Sequence, residues 1–313
     1  MNSQYLKVTN AVALYLEDCL AREQSFRTIE GKSSTLNQFV RYCDSNGISD
    51  ISLITLSQLE GYRRFLIKQV KPNGEMLDIS TRRNKLTHVR VFFRRLYELE
   101  YLENNPADKF LVPKRPRRLP EGILSPEELE AIFQQTELYG PKGVRDKVVL
   151  EMYYASGMRR AELAGLAVFD VDTVKDLVRI RNGKGRKDRI VPIAKRTSEM
   201  VTCYLNTIRP KLSSIASGDT LFLNDRSTPF TPQQLSSLVR KYVTYAGVRR
   251  KGACNLYRHT AATQMLENGA DIRIIQEQLG HADISTTQVY THVTNKQLVE
   301  TYQRTHPAAL NGK

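Results

Sequence analysis

The chain has 313 residues, enough for two domains that each bury a core of their own. It carries 47 lysines and arginines against 33 acidic residues, a formal charge of +14, and its pI is about 9.6. No stretch approaches the ~18 apolar residues of a membrane span, and the N-terminus lacks a secretory pattern, so no membrane partner is expected. The basic balance favours nucleic acid as the partner, although general solubility would also account for the composition.

The positive charge is spread over both halves of the chain. Residues 1–118 carry 20 basic and 13 acidic side chains, and residues 119–313 carry 27 and 20, so each part has a net charge of +7. Both parts could therefore face the same DNA. The four cysteines lie far apart and form no CxxC pair, which argues against a disulfide framework or a zinc site and favours a reducing cytoplasm.

Apolar residues at helical spacing predict an all-α N-terminal domain over residues 1–105. Its helices are expected at 5–25, at about 33–45, from Thr55 to about Val70, and from about Ser80 to Leu102. The first helix has its apolar spacing through Val12, Leu16 and Leu20. The fourth has a stripe of apolar residues, which are Leu86, Val89, Phe93 and Leu96.

Two basic stretches of this region are candidates for contact with DNA phosphates. The fourth helix carries three arginines on a face apart from its apolar stripe, namely Arg83, Arg90 and Arg94. Residues 106–123 contain four prolines, which exclude a continuous helix and predict an extended interdomain linker. The linker has four clustered basic side chains: Lys114, Arg115, Arg117 and Arg118. The alternative explanation is that the basic side chains of the fourth helix and of the linker serve only to keep these surfaces solvated.

Residues 124–294 predict a second domain of mixed structure. Ser125 and Glu128 form a capping box around Pro126, so a helix begins there, and others are expected at about 143–156, 196–210, 232–246, 255–268, 272–279 and 285–292. Between 177 and 193 the apolar period changes to two around a glycine-rich turn, which predicts a β-hairpin with Lys184 at or near its tip. The fold class is therefore mainly α with a small β-hairpin or sheet: an all-α N-terminal domain followed by an α+β domain.

Five residues of the second domain have the side chains needed to break a phosphodiester without a metal. They are Arg159 in SGMRRAEL, Lys184 in NGKGRKDRIVPI, Arg258 in NLYRHTAAT, His281 in LGHADISTTQVYTHV and, nine residues later, Tyr290. Each is a weak signal by itself, because most surface arginines are solvated charges and most tyrosines are packing residues. Their order and spacing together are very unlikely to arise by chance.

In these motifs the sequence resembles the tyrosine recombinase (phage integrase) family, in particular its Xer-like branch. The resemblance covers nearly the whole chain and is strongest from Gly157 to Val293. It implies a core-binding domain at 1–105, a catalytic domain at 124–294, and a tail at 295–313 whose helix docks on a neighbouring protomer. The alternative for this tail is that its helix packs on its own domain. The implied activity is site-specific DNA recombination through a 3′-phosphotyrosyl intermediate and a Holliday junction, with no ATP, metal or other cofactor.

The resemblance also implies a role for each motif residue. Tyr290 is the expected nucleophile. Arg159 and Arg258 would stabilise negative charge on the non-bridging phosphate oxygens. Lys184 would protonate the leaving 5′-oxygen, and His281 would hydrogen-bond a phosphate oxygen.

One position departs from the family pattern. The family usually has a histidine three residues before the second arginine, and Asn255 stands there. An amide can hydrogen-bond the phosphate or the tyrosine hydroxyl but cannot take a proton near pH 7, so slower cleavage is expected. Glu162, one helical turn after Arg159, would orient neighbouring groups, and His259 is expected to be structural rather than a replacement base.

The expected partner is double-stranded DNA with paired inverted recombinase-binding sites, bound by a homotetramer or by a heterotetramer with a paralogue. The chain would serve integration or resolution of a mobile element, or resolution of chromosome or plasmid dimers. Asn255 keeps a second hypothesis open, a catalytically weak or silent DNA-binding protein of the same fold. A third hypothesis is a type IB topoisomerase, which shares the tyrosine chemistry. The Xer-like tail and the compact first domain make it the least favoured of the three.

Overall fold

A computed structural model of the chain describes residues 5–113, 122–181, 188–250 and 252–280. The chain divides into two compact units, Met1–Arg117 and Arg118–Lys313. Helices dominate both, and the strands of the described ranges form one small antiparallel sheet in the second unit, which confirms the expected fold class. No helix in these ranges is long and apolar enough to cross a membrane. The assignment of 1–105, 106–123, 124–294 and 295–313 to separate functions stays a prediction.

Four α-helices and one short 3₁₀ turn, Ile51–Leu53, build the first unit over its described residues. The α-helices are α1 Val8–Ala21, α2 Phe26–Ser45, α3 Leu56–Ile67 and α4 Ile79–Glu98. α2 begins earlier than the predicted residue 33, because the Ser25 side chain accepts a hydrogen bond from the Thr28 N–H and caps the helix at that point. α3 begins where expected, and the Thr55 N–H donates to Gln58 Oε1 at 3.1 Å.

The core of the first unit is rich in aromatic rings. Phe39 of α2 packs edge-on against Tyr62 of α3 and Phe93 of α4, with ring centroids 4.9 and 5.9 Å apart. The four apolar residues predicted for the stripe of α4 are all buried. In α1 the predicted stripe is wrong at Leu20, which is 59% exposed, whereas Leu16 is partly buried and packs against the core. The buried face of α1 consists instead of Val8, Ala11, Val12, Tyr15 and Cys19.

The second unit begins with α5 Pro126–Glu137, whose predicted capping box is formed: the Glu128 N–H donates to Ser125 Oγ, and the Ser125 N–H donates to Glu128 Oε2. α6 Gly140–Ser156 and the short α7 Arg160–Ala164 follow. The later helices are α8 Lys195–Cys203, α9 Arg209–Leu212, α10 Pro232–Tyr245, α11 Cys254–Glu267 and α12 Ile272–Leu279. A π-helical turn joins α8 to α9, where a single helix over 196–210 was predicted.

The sheet of the second unit has three antiparallel strands in sequence order, β1 Val171–Asp172, β2 Leu177–Ile180 and β3 Arg189–Pro192. β2 and β3 form the predicted hairpin, with Val178 opposite Val191 and Ile180 opposite Arg189. Val178, Ile180 and Val191 are buried on one face, as the pleat requires. The short β1 was not predicted. The hairpin tip with Lys184, the helix expected at 285–292 and the tail lie outside the described residues.

Candidate active site: three arginines at the end of α12

A glycine turn after α6 places Arg159. α6 ends at Gly157, whose φ of +60° is left-handed, and a Cβ at this glycine would lie 2.7 Å from Leu279 Cδ2. Arg159 then caps α7 in an extended conformation, and its N–H donates to Glu162 Oε2 at 2.7 Å. The turn therefore sets Arg159 between Glu162 and the C-terminal end of α12.

The Arg159 guanidinium bridges α7 and the end of α12. Its Nη1 donates to Glu162 Oε1 at 2.7 Å, and its Nη2 donates to the Gly280 carbonyl at 2.8 Å. The side chain remains 26% exposed. A ligand arriving from solvent can therefore still reach part of this side chain.

Arg258 is held at the same place from α11. It is 4% exposed. Its Nη1 donates to the Gly157 carbonyl at 2.6 Å, and its Nη2 donates to the Leu279 carbonyl at 2.5 Å. Arg258 thus joins the C-terminal ends of α6 and α12, and it does so one residue away from the carbonyl that Arg159 uses. The structure brings together two motif arginines that lie far apart in the sequence.

A third arginine, which the sequence motifs contain but which was not singled out, completes the cluster. Arg189, the first residue of β3, donates from Nη1 to Glu162 Oε1 at 2.9 Å and from Nη2 to Glu162 Oε2 at 2.8 Å. Its Nε donates to the Gln278 carbonyl at 3.1 Å. The register of the hairpin is the signal that could have identified Arg189 as an inward-pointing residue. Arg189 lies opposite Ile180, which is buried, and directly opposed residues point to the same face of a sheet.

Three consecutive carbonyls at the end of α12, those of Gln278, Leu279 and Gly280, therefore each accept from a different arginine. The last carbonyls of a helix lack partners inside the helix and carry a partial negative charge. Gly280 closes α12 with a left-handed φ of +61°, and a Cβ there would lie 2.9 Å from Arg189 Nη1. The end of α12 thus supplies the anchor on which all three guanidinium groups are positioned.

Glu162 lies at the centre of the cluster and is 9% exposed. Burial raises the pKa of its carboxyl. Hydrogen bonds from the Arg189 side chain and the Arg159 backbone, the charge of Arg189 and a hydrogen bond from the Arg159 side chain overcome burial and lower the pKa to about 2. The group is therefore ionised at neutral pH, and both of its oxygens are occupied by donors. This is the geometry of an acid that orients its neighbours, as expected from the sequence.

Asn255 and His259 lie on α11 on either side of Arg258. Asn255 is exposed in the first turn, and its side chain makes no hydrogen bond within the described part of the chain. His259 is half-buried. Its pKa is lowered below the ordinary value, mainly by burial and to a smaller extent by the neighbouring charge of Arg258. His259 is therefore neutral at pH 7.

Three expected site residues, Lys184, His281 and Tyr290, lie outside the described residues, although His281 directly follows Gly280 in the sequence. Within the described ranges, no group of three or more histidine, cysteine, aspartate or glutamate side chains is arranged to hold a metal ion.

The basic residues expected to face DNA in the first unit differ in their surroundings. On α4, Arg90 and Arg94 are exposed and Arg83 is half-buried. Arg94 Nε lies 3.5 Å from Glu98 Oε1, so part of its charge is compensated. The four linker residues, Lys114, Arg115, Arg117 and Arg118, lie outside the described residues.

A further group of cations between α2 and α4 was missed from the sequence. Lys85 Nζ donates to Gln38 Oε1 at 2.7 Å, and burial, then the charge of Arg41, lowers the Lys85 pKa. The pKa of His88 is also lowered, by burial and then by two neighbouring lysines. These residues adjoin the apolar stripes of their helices, so the helical period gave them no separate signal.

The chain is similar to known recombinases over most of its length. The profile of the phage integrase family matches residues 123–297. Tyrosine recombinase XerC 2 of Ralstonia nicotianae is 38% identical over 306 residues, which cover 98% of this chain and 88% of that protein. Tyrosine recombinase XerD of Staphylococcus epidermidis is 34% identical over 289 residues, with 91% and 94% covered. Among solved structures, XerH site-specific recombinase bound to palindromic difH substrate has a TM-score of 0.70 at 23% identity, over 90% of this chain and 81% of that one, a likeness of fold.

These similarities confirm the family and the activity class that the motifs implied, and they do not favour a silent DNA-binding protein. The chain belongs to the phage integrase family and is a tyrosine recombinase of the Xer-like branch, an enzyme of site-specific DNA recombination.

Proposed function

We propose that the arginine cluster binds the scissile phosphate and that Tyr290 attacks it, which joins the DNA 3′-phosphate to the tyrosine and releases a 5′-hydroxyl. The observation that carries this proposal is that Arg159 and Arg258 donate to neighbouring carbonyls immediately before His281. Guanidinium groups fixed beside one another can stabilise the negative charge that develops on the non-bridging oxygens. Because the helix end already holds them, little reorganisation is needed when DNA binds.

Every bond and proton of the cleavage step has an assigned place in this proposal. The Tyr290 oxygen bonds to phosphorus, the bond from phosphorus to the 5′-oxygen breaks, and Lys184 protonates that oxygen. His281 hydrogen-bonds a phosphate oxygen. Asn255 hydrogen-bonds the phosphate or the tyrosine hydroxyl but does not take its proton, which passes to water or phosphate, so cleavage is slow. Attack by the 5′-hydroxyl of a partner strand reverses the step, and two rounds pass through a Holliday junction.

The first unit and the linker bind the phosphate backbone in the same proposal. Arg83, Arg90, Arg94 and the four linker cations provide contacts that position the enzyme without reading the base sequence. The cations between α2 and α4 support this role. Burial, and then the positive charge of Arg41, lowers the pKa of Lys85, and an anion bound on this face would relieve the repulsion between the two side chains.

The proposed substrate is double-stranded DNA with paired inverted binding sites, held by four copies of the chain or by copies of the chain and a paralogue, in the cytoplasm. The tail at 295–313 would make the contacts between neighbouring protomers and so decide which tyrosines react. The reaction would integrate or resolve a mobile element, or resolve chromosome or plasmid dimers.

A nicked suicide substrate tests this proposal. The DNA carries the candidate site from the region flanking the gene, and cleavage releases a short fragment so that the covalent complex accumulates. The wild type and Tyr245→Phe, a control at an exposed tyrosine of the same unit, should give a covalent complex on a denaturing gel without added metal, and Tyr290→Phe should give none. Tight binding without a complex in any of the three would contradict the proposal and favour the silent DNA-binding protein.

A further inference from the structure

Arg189 and Glu162 form the most extensively bonded ion pair of the site, and the reaction as proposed leaves Arg189 without a task. Two parallel N–H···O bonds join the guanidinium to the carboxylate, at 2.9 and 2.8 Å. The Arg189 side chain is 11% exposed and that of Glu162 is 5% exposed. A paired fork of this kind, largely shielded from water, is stronger and more directional than a surface ion pair.

Glu162 also accepts two bonds from Arg159, so one carboxylate serves two arginines. Its Oε1 accepts from the side chains of both, and its Oε2 accepts from the Arg159 N–H and from Arg189. Two positive charges and one negative charge leave the trio with a net charge of +1. Without Arg189, the remaining pair of Arg159 and Glu162 would be neutral, and the whole carboxylate charge would act on Arg159.

We infer that Arg189 is a positioning residue for DNA cleavage: by sharing Glu162 with Arg159, it keeps the positive charge of Arg159 available to the scissile phosphate. This inference rests on the proposed function, in which Arg159 stabilises the reacting phosphate. It assigns to Arg189 no contact with DNA. Its bond to the Gln278 carbonyl also fixes β3, which begins five residues after Lys184 in the sequence, to the helix end that anchors Arg159 and Arg258.

Sharing of the Glu162 charge between two arginines has consequences for the cleavage rate that a purely structural role of Arg189 would not have. Arg189→Met should lower the rate of covalent complex formation by about 100-fold, close to the lower end of the loss of about 10²–10³ seen when a direct transition-state donor is removed. Arg189→Met combined with Glu162→Gln returns the net charge to +1, so the double variant should cleave faster than Arg189→Met alone. Arg189→Lys keeps the charge and should retain more activity than Arg189→Met.

A pH profile gives a second readout. The charged side chains that face Glu162 within the described ranges are Arg159 from the start of α7 and Arg189 from β3. In Arg189→Met, burial is opposed by one arginine instead of two, so the Glu162 pKa rises. Protonation of Glu162 would then release Arg159, and the rate relative to the wild type should increase as the pH is lowered. The double variant has no carboxylate at this position and should show no such increase.

The experiment measures covalent complex formation by the full chain on the nicked suicide substrate for the wild type, Glu162→Gln, Arg189→Met, Arg189→Lys and the double variant. Thermal unfolding of each variant shows whether it is folded. If Arg189→Met does not fold, the inference is tested by comparing Glu162→Gln with the double variant. Neither of these has a carboxylate at position 162, so the additional loss of Arg189 in the double variant should have little effect on the cleavage rate.

Three results would overturn the inference. One is a wild type that cleaves while Arg189→Met cleaves equally fast. A second is a double variant that cleaves no faster than Arg189→Met. A third is that the loss of Arg189 slows cleavage as much in the Glu162→Gln background as it does in the wild type. A wild type that forms no covalent complex would instead overturn the proposed function, and this inference with it.

Discussion

Arg159 and Arg258 donate to consecutive carbonyl oxygens at the end of α12, those of Gly280 at 2.8 Å and Leu279 at 2.5 Å. Consecutive residues lie about 3.8 Å apart along the chain, so the two guanidinium groups are held side by side. The residue after Gly280 is His281. The end of α12 is therefore the element that gathers arginines from separate parts of the second unit next to the histidine motif.

The close approach of Gly280 to Arg189 makes this glycine a sensitive position. Gly280→Ala adds a Cβ 2.9 Å from Arg189 Nη1, and its φ of +61° costs a non-glycine residue about 1–2 kcal/mol. Gly247→Ala is the matched control, because its φ is +69° and nothing lies within 4 Å of its added Cβ. Both variants should unfold at lower urea concentration than the wild type, but Gly280→Ala should also slow covalent complex formation. Equal rates for the two variants would show that the contact with Arg189 has no effect on cleavage.

Glu162 makes part of the stability of the second unit dependent on pH. Because its pKa is lowered from the ordinary 4.5 to about 2, its carboxylate stabilises the folded state above pH 4.5, and that contribution is lost as the pH falls towards 2. Glu162→Gln should therefore flatten the loss of stability between pH 4.5 and 2 in urea unfolding. Glu130→Gln, at an exposed position of α5, should follow the wild type. A curve for Glu162→Gln that falls as steeply as that of the wild type would contradict this account.

Arg90 is expected to contact a DNA phosphate. It is exposed and forms no ion pair within the described residues, so Arg90→Gln should weaken DNA binding and reduce the slope of log Kd against log salt by about 1. Arg95 on the same helix is the control, because its fork is paired with Asp18 at 2.9 and 2.6 Å. Arg95→Gln should lower the stability of the first unit and leave the salt slope unchanged. An unchanged slope for Arg90→Gln would remove this residue from the DNA-contacting face.

Asn255 is expected to limit the rate of cleavage. It is exposed on the first turn of α11, three residues before Arg258, and an imidazole there could take the tyrosine proton. Asn255→His should accelerate covalent complex formation, by about tenfold or more if it reaches part of the 10²–10⁴ typical of general base catalysis. Asn255→Gln keeps the amide and should bring no acceleration. A slower Asn255→His would indicate that this position serves cleavage through its amide alone.

The sequence predicted those elements whose signals are local. The caps at Ser125 and Thr55 depend on side chains three residues away, and both helices begin where expected. The start of α2 had the same kind of signal in Ser25, which was overlooked. The inner face of α1 was wrong because Tyr15 and Cys19, rather than Leu20, complete its buried side.

The site could be predicted as a set of motifs but not as an arrangement. Arg159 and Arg258 were found from their motifs, while the carbonyls that hold them belong to α12, which no local pattern connects with either arginine. Arg189 was missed because its importance comes from Glu162 and Gln278, distant in sequence on both sides. Such contacts depend on how helices and strands pack, and periodicity carries no information about them.

Identification of the residue joined to DNA decides whether Tyr290 is the nucleophile. The covalent complex is digested with nuclease and trypsin, and the peptides are examined by mass spectrometry. Trypsin cleavage after Arg273 and Lys296 gives a peptide whose sole tyrosine is Tyr290. We predict that this peptide carries the residual nucleotide through a phosphate on Tyr290. A nucleotide on any of the other tyrosines would contradict the assignment of the nucleophile and, with it, the arrangement proposed around the arginine cluster.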